Sequence, residues 1–345
     1  MANHNASQVG MSKSKCVKRC VVIGKRPLLA QLQADESERL AATVPERWQE
    51  INESAQAHAD CLSSILAELR KNKLEIRQLR VDDLSADVWT PDDTDLVITV
   101  GGDGTVLATH PHCFHVPVLP INSDPNRSTG WLTSATLATW QSVLAHWLDT
   151  PAAHEITLPR LQAGLDGATP QAFLNDCLLT NANPAALSRY QLQIGTDSEN
   201  QSSSGIWIST PIGATGALTS AGGAILGDSG RGEAGAGDAS AAARSEDHHG
   251  EHAHAQGVTA SRLLYRVREP LQRQRTYQLL GGSITPHAGY RIRSLQAGLT
   301  AYLDGAYRQI TIPAGRALAI TPAPVPLRLV GGLPAHTSGR LSQQP

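Results

Sequence analysis

Leu96-Val-Ile-Thr-Val100 runs directly into Gly101-Gly-Asp-Gly-Thr105. The first five residues have the composition of a buried strand. The glycines end it, and the segment from Thr105 to His110 can start a helix. Glycine brings no Cβ and tolerates positive φ, so a strand–turn–helix of this kind lets backbone approach a phosphate closely. The N–H groups at a helix start then favour the anion. An aspartate inside such a turn repels phosphate unless it serves a metal ion or takes a proton. A phosphate cradle holding a carboxylate is the pattern of phosphoryl transfer, although a Gly-Gly turn with Asp is by itself an ordinary turn.

Around this turn the chain reads as a parallel α/β sheet. Cys20 to Gly24 is a short β-rich run. Glu46 to Asn72 carries apolar residues at three-and-four spacing (Trp48, Ile51, Ala55, Ala59, Leu62, Ile65, Leu66, Leu69), which predicts one long amphipathic helix. Leu74 to Val81 and Asp95 to Val100 read as strands, and Val116 to Ile121 as the strand after the turn. Ligands on such sheets sit at the carboxyl ends of strands, where Gly101 to Thr105 would lie. Ala135 to Leu148 reads as a helix. Beyond it come short β-like runs between turns, including Glu155–Leu161, Ala172–Thr180, Tyr190–Ile194, Gly205–Thr210, Tyr290–Arg293, Leu299–Leu303, Gln309–Ile312 and Ala317–Ile320. The expected organisation is a flexible 1–18, an α/β phosphate-binding domain over 19–134, a β-rich domain over 135–332 and a loose tail over 333–345. A stretch of Gly, Ala, Ser and charge over 227–256 reads as a disordered insertion, because it cannot bury enough apolar surface to order itself. Its histidines, His248, His249, His252 and His254, read as a solvated loop before they read as metal ligands.

Composition narrows the partners. The 345 residues suit two domains, and with 41% hydrophobic residues they can bury a sizeable core. Twenty-nine basic against 31 acidic residues give no field for nucleic acid or a membrane surface. The five cysteines are scattered and odd in number, the usage of reduced thiols. No run approaches the roughly 18 apolar residues of a membrane span. The polar, basic first 19 residues lack the apolar core of a secretory signal. Cytoplasmic residence is the expectation, with mitochondrion and peroxisome left open.

Three later segments join the first turn. Asn122-Ser-Asp-Pro-Asn-Arg-Ser-Thr-Gly130 follows the strand after it, then come Phe173-Leu-Asn-Asp-Cys177 and the run from Ser204 to Gly223, which contains Thr210-Pro-Ile-Gly-Ala-Thr-Gly-Ala217. In order and type this set resembles the NAD kinases. With Tyr265-Arg-Val-Arg-Glu-Pro270 it is most similar to the branch of plant NADH kinases and animal mitochondrial NAD kinases. The likeness runs from about Val21 to Val330.

The resemblance implies an α/β plus β fold with nucleotides bound between its two parts. It also implies ATP-dependent phosphorylation of the adenosine-ribose 2′-hydroxyl of NAD(H), and a homo-oligomer. Asp103 would be the catalytic carboxylate, accepting the hydroxyl proton or orienting magnesium (Mg2+) that accompanies ATP. Gly101, Gly102, Gly104, Thr105 and Asn122 would line the phosphate end. Asn175 and Asp176 stand where the family has Asn-Glu, the pair that grips the dinucleotide. The aspartate is one methylene shorter than the usual residue. Thr210, Gly213, Thr215, Gly216 and Ser220 would contact both nucleotides, and Ile212, Ala214 and Ala217 depart from the usual Thr, Ser and Tyr. Arg127 reads equally as a phosphate partner and as a solvated loop residue. Asp304-Gly305 reads as a hairpin turn. Two rivals share these residues: a nucleotide-binding sensor without turnover, and a lipid kinase built on the same turn. No P-loop signature, G-x-x-x-x-G-K-[ST], is present.

Overall fold

The computed structural model describes residues 17–84, 93–213, 218, 263–271, 276–285 and 289–334. Three sheets carry the chain. The first is built on four parallel strands, β1 (Arg19–Gly24), β2 (Glu75–Arg80), β3 (Leu96–Gly101) and β4 (Val118–Asn122), in the order β2-β1-β3-β4. β1 and β3 are apolar and buried almost throughout because both faces of the sheet are covered. β2 alternates charge with Ile76 and Leu79 and is mostly exposed, as suits an edge. One face is covered by α2 (Pro45–Lys71), after α1 (Ala34–Thr43), and the other by α3 (Asp103–Thr109).

α2 begins with Pro45 at its first position and ends on Arg70 and Lys71, a proline start and a basic finish. Its buried stripe is Ile51, His58, Cys61, Ile65, Leu66 and Leu69. Leu62 packs partly buried against the same core as expected, whereas Ala59 is exposed and His58 and Cys61 take buried places. α1 was not foreseen; its Glu36 side chain accepts the Gln33 N–H at 2.8 Å and closes a capping box.

The first sheet does not stop at residue 134. β5 (Ala135–Thr136) pairs with β4, and α4 (Trp140–Asp149) buries Trp140 and Trp147 in the same core as α2. β6 (Glu155–Leu158) and the terminal β19 (Leu327–Val330) add two more strands. Helix α4 starts five residues later than the helix expected from Ala135. The boundary read at residue 134 is therefore corrected: the chain returns to complete its first sheet near its end.

The remaining strands form two antiparallel sheets. One holds β7 (Leu161–Leu165), β8 (Gln171–Phe173), β10 (Ser188–Ile194), β11 (Asp197–Ser203), β15 (Tyr290–Ser294) and β18 (Ala317–Pro322). The other holds β9 (Asp176–Asn181), β12 (Gly205–Ser209), β13 (Leu263–Arg268), β14 (Gly281–Ile284), β16 (Leu299–Leu303) and β17 (Arg308–Ile312). They share one core that includes Phe173, Leu179, Tyr190, Ile206, Tyr265, Tyr290 and Leu303. The fold is α/β followed by β. The expected run Ala172–Thr180 is broken at Leu174–Asn175, where the chain leaves one sheet for the other.

The cysteines Cys20, Cys61, Cys113 and Cys177 are buried free thiols. Burial pushes Cys20 up to about 12 and Cys61 to about 11, so they behave as core packing and not as nucleophiles. Among the described residues no helix is long and apolar enough to cross a membrane.

Candidate functional site

The carboxyl ends of β1, β3 and β4 come together. Gly101 is the register partner of Asn122, and the Ser123 N–H donates to the Gly101 carbonyl at 3.1 Å. A Cβ on Gly101 would stand 2.0 Å from Thr105 Oγ1, so the turn closes directly over its own helix and excludes any side chain there. Gly102 precedes α3, and a Cβ on Gly104 would meet nothing within 4 Å. Thr105 is buried. Asp103 is the first residue of α3, and its carboxylate accepts the Trp131 N–H at 3.0 Å and the Leu132 N–H at 2.8 Å. These two bonds fix the orientation of the carboxyl group.

Asn122 is buried and ties the following loop into a compact turn. Its Nδ2 donates to the Ser128 carbonyl at 3.0 Å, and its Oδ1 accepts the Asp124 N–H at 3.0 Å. Arg127, left open between phosphate and solvent, is spent on carboxylates: it pairs with Glu53 and lies 3.4 Å from Asp124 Oδ1. The second oxygen of Asp124 is buried and has no hydrogen-bond partner. Lys25 and His58 close this end from β1 and α2. Lys25 Nζ lies 3.4 Å from Ser54 Oγ, and His58 Nδ1 lies 3.3 Å from Ser123 Oγ. Burial, helped by the Lys25 charge, pushes His58 down to about 4, so it is neutral near pH 7. Neither residue was singled out in the sequence; a lone lysine after a strand and a lone histidine in a helix carry no signal of their own.

The second group gathers around Asp304. The Asp304 backbone has φ of +53°, the left-handed conformation that an Asp-Gly turn supplies. Its side chain is 1% exposed. The carboxylate accepts the N–H groups of Leu174 at 2.9 Å, Asn175 at 2.7 Å and Asp176 at 3.3 Å, and meets His110 Nε2 at 2.7 Å. Arg308 stands 3.6 Å away. Burial pushes His110 down, against the pull of Asp304, so the ring is neutral and donates its Nε2 hydrogen to the carboxylate. The reading of Asp304-Gly305 as only a hairpin turn is thus incomplete, since Asp304 also holds the Asn175–Asp176 corner in place. Nothing local distinguishes such an aspartate from an ordinary turn residue.

Asn175 and Asp176 are brought together with Thr210 and Gly213. Thr210 Oγ1 donates to the Leu174 carbonyl at 2.7 Å and accepts the Gly213 N–H at 3.1 Å. Asn175 Oδ1 is buried without a hydrogen-bond partner, an acceptor left open beside this corner. A Cβ on Gly213 would stand 2.0 Å from the Asn175 carbonyl oxygen and 2.6 Å from its Cα. Backbone cannot yield as a flexible side chain does. Gly213→Ala is therefore expected to push the corner open and cost about 2 kcal/mol of stability, read from urea unfolding; a loss below about 0.5 kcal/mol would show that the two backbones are not locked. Ile212, noted as a departure in a ligand loop, is buried in the cluster of Val106, Leu132 and Leu174 and serves packing. Thr215, Gly216 and Ser220, with Ala214 and Ala217, lie outside the described residues, as do the insertion over 227–256 and its histidines. Arg268 and Glu269 form a 3.7 Å ion pair.

Burial, with the Asp304 charge beside it, pushes Asp176 up to about 7. The folded state then holds a proton that the unfolded chain has lost above its ordinary value of 3.8, so stability falls as pH rises from about 4 to about 7 and levels off above. Asp176→Asn removes that dependence. It is expected to be more stable than the parent at pH 8 by about 2 kcal/mol and equal to it near pH 4, checked by urea unfolding at both. An equal margin at the two pH values would mean that Asp176 ionises freely in the fold.

Residues 31–151 match the family model described as the ATP-NAD kinase N-terminal domain. A "Probable NADH kinase" of Oryza sativa subsp. japonica is 30% identical over 210 residues, 54% of this chain and 63% of that protein. The matched stretch thus spans less than two thirds of that relative's length. An "NADH kinase" of Arabidopsis thaliana is 29% identical over 80% of this chain and 84% of its own. Among solved structures, yeast NADH kinase complexed with NADH superposes with a TM-score of 0.57 at 16% identity, covering 95% of this chain and 88% of that one. The last comparison bears on the fold alone. The resemblance read from the motifs is borne out, and it points to the NADH kinase side of the group.

Proposed function

We propose that this chain, a member of the NAD kinase family, transfers the terminal phosphoryl group of ATP to the 2′-hydroxyl of the adenosine ribose of NAD(H), giving NADP(H). The observation that carries the reading is Asp103. A carboxylate stands at the helix start two residues after Gly101, where any Cβ would strike Thr105, and is oriented by two N–H bonds. Phosphoryl transfer asks little covalent work of a protein: it must hold the donor phosphates, align the acceptor oxygen and take its proton. In this reading Gly101, Gly102, Gly104 and Thr105 cradle phosphate, and Asn122 holds the neighbouring loop in shape. Asp103 accepts the proton from the 2′-hydroxyl. Asn175, with its open Oδ1, and Asp176 grip the dinucleotide, and Thr210 and Gly213 keep their corner closed. Thr215, Gly216 and Ser220 extend the contact. Magnesium bound with ATP would supply charge neutralisation on the phosphates. The carboxylate that would hold it here is Asp124, whose Oδ2 is buried and unpartnered.

Preference for NADH is supported by the names of the plant relatives. A homo-oligomer and a cytoplasmic location are part of the same proposal. The test is incubation of the full chain with Mg·ATP and either NAD or NADH, with NADP and NADPH quantified. Product from either acceptor is the expected result. Dinucleotide binding with no product from either would leave a sensor, and phosphorylation of a diacylglycerol in place of the dinucleotide would leave a lipid kinase.

A further inference from the structure

From β1 the chain builds β2 on one side and then crosses to β3 and β4 on the other, so the order β2-β1-β3-β4 reverses between β1 and β3. Parallel sheets hold their ligands at such a reversal, at the carboxyl ends of the two strands that part. β3 ends in the Gly101–Thr105 turn, and β1 ends in Gly24, followed by Lys25. The Lys25 N–H donates to the Val100 carbonyl at 3.0 Å, which extends the pairing of β1 with β3 up to the turn. A Cβ on Gly101 would stand 3.1 Å from Lys25 Cβ, so the lysine stem starts alongside the first glycine.

The other cations at these strand ends have carboxylate partners. Arg26 lies 3.5 Å from Asp82, and Arg127 pairs with Glu53. His58 is neutral. Among the described residues no carboxylate comes within 4 Å of Lys25 Nζ, and its hydrogen-bond partner is Ser54 Oγ on α2 at 3.4 Å. One long bond to a hydroxyl leaves an ammonium with three donors poorly matched. After β4, Asp124 Oδ2 is buried with no hydrogen-bond partner. The Asp124 charge acts on Lys25, yet the two do not meet: Arg127 stands 3.4 Å from Asp124 Oδ1, and Lys25 rests on Ser54. An ammonium and a carboxylate oxygen left unpaired at one strand end suit a ligand that is cation and anion together, as a metal-bound polyphosphate is.

We propose that Lys25 is a catalytic residue whose ammonium leaves Ser54 and binds an oxygen of the donor's terminal phosphate. The inference rests on the phosphoryl-transfer reading above. In that step the 2′-hydroxyl oxygen bonds to the terminal phosphorus. The bond from this phosphorus to the bridging oxygen breaks, and its electron pair leaves on ADP. The hydroxyl proton goes to Asp103. Lys25 exchanges no proton and forms no covalent bond. It sets one positive charge against the group in flight, whose negative charge is spread over three oxygens. The terminal phosphate is its target because that phosphate must meet the acceptor near Asp103, and Lys25 flanks Gly101, two residues before Asp103. The flexible stem of lysine lets the ammonium turn from helix to phosphate.

The test titrates the full chain with ATP and with AMP in EDTA, so that no metal contributes, and separately measures kcat with Mg·ATP and NADH. Lys25→Met keeps the bulk of the stem and removes the charge. It is expected to weaken ATP about tenfold while leaving AMP within about twofold, and to lower kcat about 10²-fold. Lys25→Arg, which keeps the charge, should hold the preference for ATP over AMP. Ser54→Ala removes only the resting partner and should match the parent in both readouts. Unchanged ATP affinity in Lys25→Met, an equal loss of ATP and AMP, or a Ser54→Ala variant that reproduces the loss overturns the proposal. If Lys25→Met does not fold, Lys25→Gln, whose amide can still meet Ser54, carries the same contrast. A preference for ATP that vanishes in Lys25→Met, in a chain that phosphorylates neither dinucleotide, upholds the contact and sinks the kinase reading. Dinucleotide phosphorylation that Lys25→Met leaves intact does the reverse.

Discussion

Asp103→Asn is expected to lower kcat for dinucleotide phosphorylation about 10³-fold while leaving the dissociation constants of ATP and the dinucleotide within about threefold. The substitution is nearly isosteric. The amide oxygen can still accept one of the two N–H bonds from Trp131 and Leu132 that orient the parent carboxylate. What it loses is the capacity to take a proton from the acceptor hydroxyl. That loss acts in the transition state and hardly in the ground state, so it appears in kcat and kcat/KM together. The same carboxylate also anchors the chain at Trp131–Leu132, and this second role has its own signature. One weakened charge-assisted bond costs about 1 kcal/mol of unfolding free energy, far too little to explain a thousandfold loss of rate. A variant that keeps more than a tenth of the parent rate but unfolds earlier would make Asp103 an anchor and remove it from the chemistry.

The largest effect on stability is expected at Asp304. Asparagine can occupy its left-handed backbone conformation, so Asp304→Asn tests the carboxylate and not the turn. The parent carboxylate accepts three consecutive backbone N–H groups and the His110 ring at a position almost closed to water. An amide offers one acceptor oxygen and turns an NH2 group towards donors, which leaves buried hydrogens facing each other. The cost should be about 4 kcal/mol, the scale seen when one partner of a buried charged network is removed. Urea unfolding at pH 7 reads it. Because the corner positions Asn175 and Asp176, dinucleotide affinity should weaken in the same variant even where it remains folded. A loss under about 1 kcal/mol would mean that His110 and the β9 entry are held by packing alone.

Local chemistry made the phosphate end legible. The strand Leu96–Gly101, the turn that follows it and the helix starting at Asp103 arise from residues adjacent in the chain: an apolar run, a glycine at 101 that admits no Cβ, and a carboxylate at the helix start. The long helix over Pro45–Lys71 was readable from spacing, although its buried stripe turned to include His58, which no periodicity of apolar residues can announce. Strands such as Leu161–Leu165 and Asp197–Ser203 escaped reading. The second is almost wholly polar, and pairing with β10, not composition, makes it a strand.

The sequence by itself determined the order of elements, the turn that can cradle a phosphate and the residue types that can grip a nucleotide, because each depends on neighbours within a few positions. The tertiary structure alone decided that Asp304 reaches back 130 residues to Leu174 and 194 to His110, and that Asp176 loses its solvent beside that second carboxylate. It also decided that β19 returns to finish the first sheet. Hydrogen bonds and desolvation act over a few ångströms of space regardless of separation along the chain. No pattern in the sequence records which distant residues folding will bring within that range.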